Sequence, residues 1–67
     1  MNEYCVTVYR DGHFPARCQM DNLKQVHEFI SKYLNDNVGG IHIRYVTGRD
    51  VLNCSKHEYI HMRGGSN

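Results

Sequence analysis

The sequence predicts an α+β domain of two layers. A β-hairpin, one amphipathic helix and a second β-hairpin (ββαββ) place the helix on one face of an antiparallel sheet. Three observations lead to this prediction. Hydrophobic and polar residues alternate near both ends of the chain, apolar residues recur at helical spacing in the middle, and turns containing Gly or Asp separate the segments.

The chain has 67 residues, of which 40% are hydrophobic and 22% are charged. This length is too short for two domains, and the composition is that of a folded chain, so we expect one domain over residues 1–63 and a frayed tail at residues 64–67. A chain of this size buries only about 60% of the surface that its unfolded form exposes. We therefore expect marginal stability, which pairing with a partner would increase.

Two strands are predicted at the beginning of the chain, over residues 3–10 and 13–20, because both segments alternate apolar and polar side chains. The Asp11-Gly12 pair between them predicts a turn. Pro15 has no amide hydrogen to donate to a ladder, which places the second strand at an edge of the sheet.

The register of this hairpin follows from the faces that the apolar residues occupy. A two-residue Asp-Gly turn would mix the two faces, because cross-strand partners point to the same side. A three-residue loop over residues 10–12, with Gly12 in a left-handed conformation, gathers the apolar residues on one face. The pairs that this second register predicts are Tyr4 with Cys18, Val6 with Ala16 and Val8 with Phe14.

The helix is predicted over residues 21–36, with Asp21 as its N-cap and Gly39-Gly40 beyond its end. Apolar residues recur along it at helical spacing, while its opposite face is polar. The apolar stripe consists of Leu23, Val26, Ile30, Tyr33 and Leu34.

The second hairpin begins with a strand over residues 41–47, followed by a turn at residues 48–50. Residues 51–63 fit two interpretations: a last strand, which we favour, or a helix with Asp50 as its N-cap. The predicted core combines the inner face of the sheet with the stripe of the helix. It consists of Tyr4, Val6, Val8, Phe14, Ala16, Leu23, Val26, Ile30, Tyr33, Leu34, Ile41, Ile43 and Tyr45.

Composition and the N-terminal residues indicate the compartment. The chain has neither the basic and apolar regions of a signal peptide nor an apolar run long enough to span a membrane. It has three cysteines, an odd number, which argues for reduced thiols and against a disulfide framework. We therefore expect a cytoplasmic protein that does not bind membranes.

The face of the sheet that the helix leaves open is predicted to be basic and aromatic, and it carries the candidate contact residues. They are Tyr9, Arg17, His42, Arg44 and Tyr59, the last if residues 51–63 form a strand of matching phase. Tyr, His and Arg suit a protein interface, and an exposed edge strand invites pairing with another chain, a second copy included. The sequence therefore predicts a module that binds a protein partner, with a homodimer among the options.

Nucleic-acid binding is the alternative, because a basic and aromatic sheet face can stack bases and contact phosphates. The net charge of +1 is far below that of most nucleic-acid-binding domains.

The protein-binding prediction has a more specific form. Small chains without a catalytic constellation are often inhibitors, so size and layout suggest a phage or mobile-element inhibitor of a host or defence protein, in the style of anti-CRISPR proteins.

Residues 57–61 spell H-E-x-x-H, a pattern that on a helix places two imidazoles on one face to bind Zn²⁺ and a glutamate beside the bound water. On a helix Cys54 reaches the same face, so the candidate ligands are Cys54, His57 and His61. On the favoured strand the two histidines lie about 13 Å apart, too far to share an ion. We therefore expect no metal, no cofactor and no enzymatic activity, with zinc binding through His57 and His61 as a minor alternative.

Overall fold

The computed structural model describes residues 2–35 and 37–64, with side chains as far as residue 62. The elements in chain order are strand β1 (Tyr4–Arg10), strand β2 (Ala16–Met20), helix α1 (Leu23–Ser31), strand β3 (Val38–Tyr45), strand β4 (Asp50–Cys54) and helix α2 (Lys56–Gly64). The four strands form one antiparallel sheet in the order β2-β1-β3-β4. This arrangement confirms the predicted α+β fold with a helix packed on an antiparallel sheet.

The second helix is where the prediction for residues 51–63 is wrong. The strand is confined to β4, and the chain then turns into α2. Ser55 begins this helix as its N-cap: its hydroxyl accepts from the amide of Glu58 at 3.1 Å, and the Glu58 carboxylate accepts from the amide of Ser55 at 3.1 Å. This reciprocal capping satisfies two backbone amides and stops the strand. Asp50, the alternative N-cap, is the first residue of β4.

The register of the first hairpin differs from the predicted one by two residues. Val8 pairs with Ala16 and Val6 with Cys18, so the loop spans residues 11–15 and each residue of β2 keeps its predicted face. The longer loop is held by neighbouring groups: Arg10 Nη2 donates to the carbonyl of Phe14 at 3.0 Å. Phe14 is 90% exposed, so its placement in the core is wrong.

Helix α1 is shorter than predicted at both ends. Asn22 is its N-cap instead of Asp21, because the Asn22 side chain accepts from the amide of Gln25 at 2.9 Å. At the other end, the amide of Tyr33 donates to the carbonyl of Ile30, three residues earlier, at 2.9 Å. Such short-range bonds tighten the last turn and end the helix before the chain enters β3. Residue 36, the predicted end, lies outside the described residues.

The core lies between one face of the sheet and both helices. Helix α1 packs on β1 and β2, and α2 packs on β3. The buried hydrophobic side chains of this layer are Val6, Val8, Met20, Val26, Ile30, Ile41, Ile43 and Tyr59. Tyr4, Ala16, Tyr33 and Leu34 are half-buried around them. Leu23 at the start of α1 and Tyr45 at the end of β3 are exposed, so these two core predictions are wrong.

Neither helix of the described chain is long and apolar enough to cross a membrane. The division between a domain ending at residue 63 and a tail beyond it stays a prediction, because residues 65–67 lie outside the described part of the chain.

Candidate functional site

The candidate site is the sheet face opposite the helices, which we call the open face. Its residues are arranged in two rows across the four strands. The first row is Arg17, Thr7, His42 and Asn53, and the second is Gln19, Cys5, Arg44 and Asp50. Long side chains on the outer positions flank short ones on the central strand β1. As a result, Thr7 and Cys5 are each only 5% exposed.

Arg17 is held over the first row. Its Nε donates to the hydroxyl of Thr7, its cross-strand neighbour, at 3.4 Å. The hydroxyl thus has a partner despite its burial, as buried polar groups require. The Arg17 side chain is exposed beyond this contact, so part of the guanidinium faces solvent in a position that Thr7 restrains.

His42 and Asp50 form the second fixed pair of the open face. Nε2 of His42 donates to Oδ1 of Asp50 at 2.8 Å. A β-bulge between Ile43 and Arg44 makes this contact possible, because it sets Asp50 opposite Arg44 and leaves Val51 as the extra residue. Bulges often redirect a side chain in this way. The pair orients the imidazole, and no nucleophile is hydrogen-bonded to His42 in the described contacts.

Tyr9 supplies the aromatic end of the open face. It pairs with Gly40 on β3, and its ring lies over that glycine, with Cδ2 at 3.7 Å from where a Cβ would stand. The side chain is 44% exposed. An amphipathic ring in such a position provides contact area at low entropic cost.

Four of the five predicted contact residues share this face: Tyr9, Arg17, His42 and Arg44. Tyr59 does not, and its prediction as a contact residue is wrong. It lies on α2, is 1% exposed, and packs in the core on the other side of the sheet. The helical twist of residues 56–64 turns this ring inward, which a strand would not have done.

The H-E-x-x-H motif lies on a helix after all, so the distance argument against a metal site no longer applies. Cys54, His57 and His61 line a cleft of about 530 Å³ between β4 and α2. Nevertheless, no group of three or more His, Cys, Asp or Glu in the described residues is placed to hold a metal ion.

Two further observations argue against zinc chemistry in this cleft. Burial raises the pKa of the Cys54 thiol, and the nearby Glu58 carboxylate raises it further, which disfavours the thiolate that zinc binds. Hydrogen bonds from the backbone amide and hydroxyl of Ser55 lower the pKa of Glu58. The Glu58 carboxylate accepts from the amide of Ser55 and so caps the helix, instead of being free to serve as a general base.

Sequence reasoning missed Ser55, which begins α2, and Met20, which belongs to the core. The spacing of Ser55 and Glu58 is that of a capping box, a pattern that was available in the sequence and indicates the start of α2. Met20 is 8% exposed in the core cluster. Met20 points to the same side of the sheet as the other inward residues of β2. It pairs with Tyr4, a position that the predicted register gave to Cys18.

No family model, no curated protein and no solved structure matches this chain. The function is therefore argued from the geometry of the open face.

Proposed function

We propose that this chain is a non-enzymatic binding protein that engages another protein through its open face. One observation carries the proposal: both helices pack on the same side of the sheet, and the other side presents Tyr9, Arg17, His42 and Arg44 together. Tyrosine and arginine are the residue types that most often dominate binding energy at protein interfaces.

The side chains of the open face are partly fixed before any partner binds. Thr7 restrains Arg17 at 3.4 Å, and Asp50 restrains His42 at 2.8 Å. Side chains that are already ordered lose less conformational entropy on association. This arrangement supports a role as a recognition surface, because the restrained side chains are already ordered for contact.

The charges of the open face favour a protein partner over a nucleic acid. The two arginines of the face are accompanied by Asp50, which lies directly opposite Arg44 and is bonded to His42. A carboxylate in that position repels phosphates and offers an acceptor to the amides and cations of a protein. The net charge of +1 for the whole chain agrees with this preference.

The test compares two double variants with the same change in charge. Arg17→Glu with Arg44→Glu replaces two cations of the open face by anions. Lys24→Glu with Lys32→Glu makes the same change in charge at two exposed positions of α1 and its C-cap. Each protein is used as bait in lysate of the source cells, and retained proteins are compared. We expect the open-face variant to lose a partner that the wild type and the α1 variant retain. Retention of that partner by all three folded proteins would contradict the proposal.

Nucleic-acid binding through the same face is the second candidate, supported by the exposed ring of Tyr9 beside the basic residues. Fluorescence anisotropy with mixed-sequence single strands and duplexes at low and moderate salt distinguishes the two. Phosphate binding weakens steeply as salt rises. Tight, salt-dependent binding that the open-face variant loses would favour this candidate.

A chain of this size acts on a partner mainly by covering part of its surface, so the proposal extends to inhibition of the bound protein. Measuring the activity of the retained partner with and without this chain tests whether binding inhibits it.

We also propose a cytoplasmic location, because Cys5, Cys18 and Cys54 are all free.

A further inference from the structure

The sheet has two edge strands, and they differ in how well they are protected against pairing. Strand β4 begins at the exposed Asp50 and its ladder is interrupted by a bulge, two devices that discourage a further strand. Strand β2 pairs regularly with β1 over five positions without a bulge. Its one charged side chain, Arg17, is held over the open face by the hydroxyl of Thr7. Its three central residues, Arg17, Cys18 and Gln19, are exposed.

We infer that the β2 edge pairs with the β2 edge of a second copy of this chain, antiparallel and with the two-fold axis at Cys18. Such pairing satisfies the free backbone groups of both edges and joins the two sheets into one of eight strands.

The register follows from length and charge. With the axis at Cys18, all five residues of β2 pair: Ala16 lies opposite Met20 of the second copy, and Arg17 lies opposite Gln19 of the second copy. No like charges face each other. An axis at Arg17 would oppose two arginines, which is destabilising. An axis at Gln19 would place Ala16 and Arg17 beyond the end of the second strand.

The same pairing accounts for two apolar side chains that the single chain leaves exposed. Phe14, two residues before β2, is 90% exposed, and Leu23, at the start of α1 after β2, is 43% exposed. In the antiparallel arrangement the beginning of one β2 lies beside the end of the other. Phe14 of one copy is thereby brought to the N-terminal end of α1 in the second copy, where Leu23 lies.

A nucleic acid or a membrane fits this edge less well. The loop that carries Phe14, residues 11–15, has an aspartate and neither Lys nor Arg. The Arg10 guanidinium beside it is engaged by the carbonyl of Phe14 and lies over the ring of Tyr33, 5.1 Å from its centroid. A second copy needs no cationic surface, only a matching edge.

The functional role of this dimer rests on the proposed function, because the continuous sheet places two open faces side by side and the open face is the proposed binding surface. A dimer with both faces free presents two sets of contact residues, which increases avidity for a partner with repeated or symmetric surfaces.

The mass of the native protein over a concentration series tests the pairing. By sedimentation and native mass spectrometry, we expect a dimer for the wild type. Cys18→Lys places two ammonium groups face to face across the axis and should raise the dissociation constant by about tenfold or more. Asn53→Lys introduces the same charge at an exposed position of the other edge strand and should leave the dimer unchanged. Circular dichroism checks that both variants are folded.

Cross-linking tests the position of the axis. Directly opposed residues of antiparallel strands have Cα atoms about 4.5–5.5 Å apart, a separation that a disulfide can bridge. Diamide, a thiol oxidant that accepts the two electrons and two protons released, should link two Cys18 thiols. Cys18→Ser should abolish the cross-linked dimer on a non-reducing gel, whereas Cys54→Ser should not.

Each outcome decides the inference. A monomer at all concentrations, a dimer that survives Cys18→Lys, or a dimer that diamide does not link through Cys18 would overturn it. A monomer that still loses its partner on Arg17→Glu with Arg44→Glu would overturn this inference alone. A Cys18-centred dimer whose partners are unaffected by that double variant would overturn the proposed function alone.

Discussion

The hydroxyl of Tyr59 is hydrogen-bonded to Nδ1 of His27, and this contact joins the two helices on the covered side of the sheet. The residues are 32 positions apart in the chain, and their ring centroids are 5.7 Å apart. Tyr59 is 1% exposed, whereas His27 is half-buried at the border of α1. The polar tip of a buried aromatic ring thus finds its partner on the neighbouring helix.

Tyr59→Phe removes this hydrogen bond and keeps the buried ring. We expect a loss of about 1 kcal/mol in the free energy of unfolding, as for a typical hydrogen bond with a part-buried partner. Urea denaturation followed by circular dichroism measures it. Tyr9→Phe is the control, since Tyr9 is exposed on the open face, and its effect should stay within about 0.5 kcal/mol. Equal effects of the two substitutions would contradict the role assigned to the contact.

Ser55→Ala removes the hydroxyl that accepts from the amide of Glu58 at the start of α2. Loss of an N-cap of this kind costs about 1 kcal/mol. The expected result is a lower midpoint in urea together with reduced helical signal. Ser55→Asp, which retains a capping oxygen, should restore most of the loss. If Ser55→Asp is as destabilising as Ser55→Ala, capping is not the reason.

The pH dependence of stability should report on Glu58. Hydrogen bonds from Ser55 lower the pKa of Glu58 from its ordinary value of 4.5 in the folded chain. A carboxyl with a depressed pKa stabilises the fold fully above pH 4.5, and this contribution is lost as the pH falls through the lower folded value.

Glu58→Gln tests this dependence, because a Gln can still cap the helix but does not titrate. The difference in urea midpoint between the wild type and Glu58→Gln should be constant above pH 4.5 and shrink below it. A difference that grows as the solution is acidified would show the opposite sign and refute the assignment.

Zinc should not bind stoichiometrically to the H-E-x-x-H segment. No group of three or more His, Cys, Asp or Glu in the described residues is placed to hold a metal ion, and Glu58 is engaged in the cap. Burial and the Glu58 carboxylate also raise the pKa of the Cys54 thiol. Native mass spectrometry after addition of equimolar zinc should give the same spectrum for the wild type and for His57→Ala with His61→Ala. A one-zinc adduct that the double variant loses would restore the metal-site hypothesis.

Two glycine substitutions should have opposite effects. Gly12 has φ +77°, a conformation that costs a residue with a Cβ about 1–2 kcal/mol, so Gly12→Ala should destabilise the chain by that amount. At Gly40 a Cβ would meet its nearest atom at 3.6 Å, an ordinary contact, so Gly40→Ala should stabilise it by about 0.4–1 kcal/mol. Thermal unfolding of both variants measures this contrast. A stabilising Gly12→Ala would exclude the left-handed turn.

Much of the fold was predictable because it depends on local patterns. The alternation in residues 3–10 and the helical stripe around Val26 and Ile30 led to elements that the structure confirms. Both patterns report which side of one element is buried, and that follows from neighbouring residues in the chain. The same alternation assigned Tyr9, Arg17, His42 and Arg44 to one face, and the observed register retains that assignment.

The wrong predictions concern residues where two sequence patterns compete, or where a contact with a distant group determines the position of the side chain. Phe14 was predicted to be buried because it continues the alternation, but the hydrogen bond from Arg10 to its carbonyl holds it in a loop. Tyr59 was predicted to be exposed because its neighbours fit a strand. The capping box that begins α2 was present in the sequence, yet apolar residues after it favoured the other interpretation.

By itself the sequence determined the first three strands, the central helix and the parity of their faces, since these depend on spacing along the chain. Three features are seen only in the tertiary structure: the register of β2 on β1, two residues from the predicted one, the bulge that brings Asp50 to His42, and the burial of Tyr59 against His27. These features require partners far apart in sequence. Their free energies depend on how packed elements meet, which no local pattern encodes.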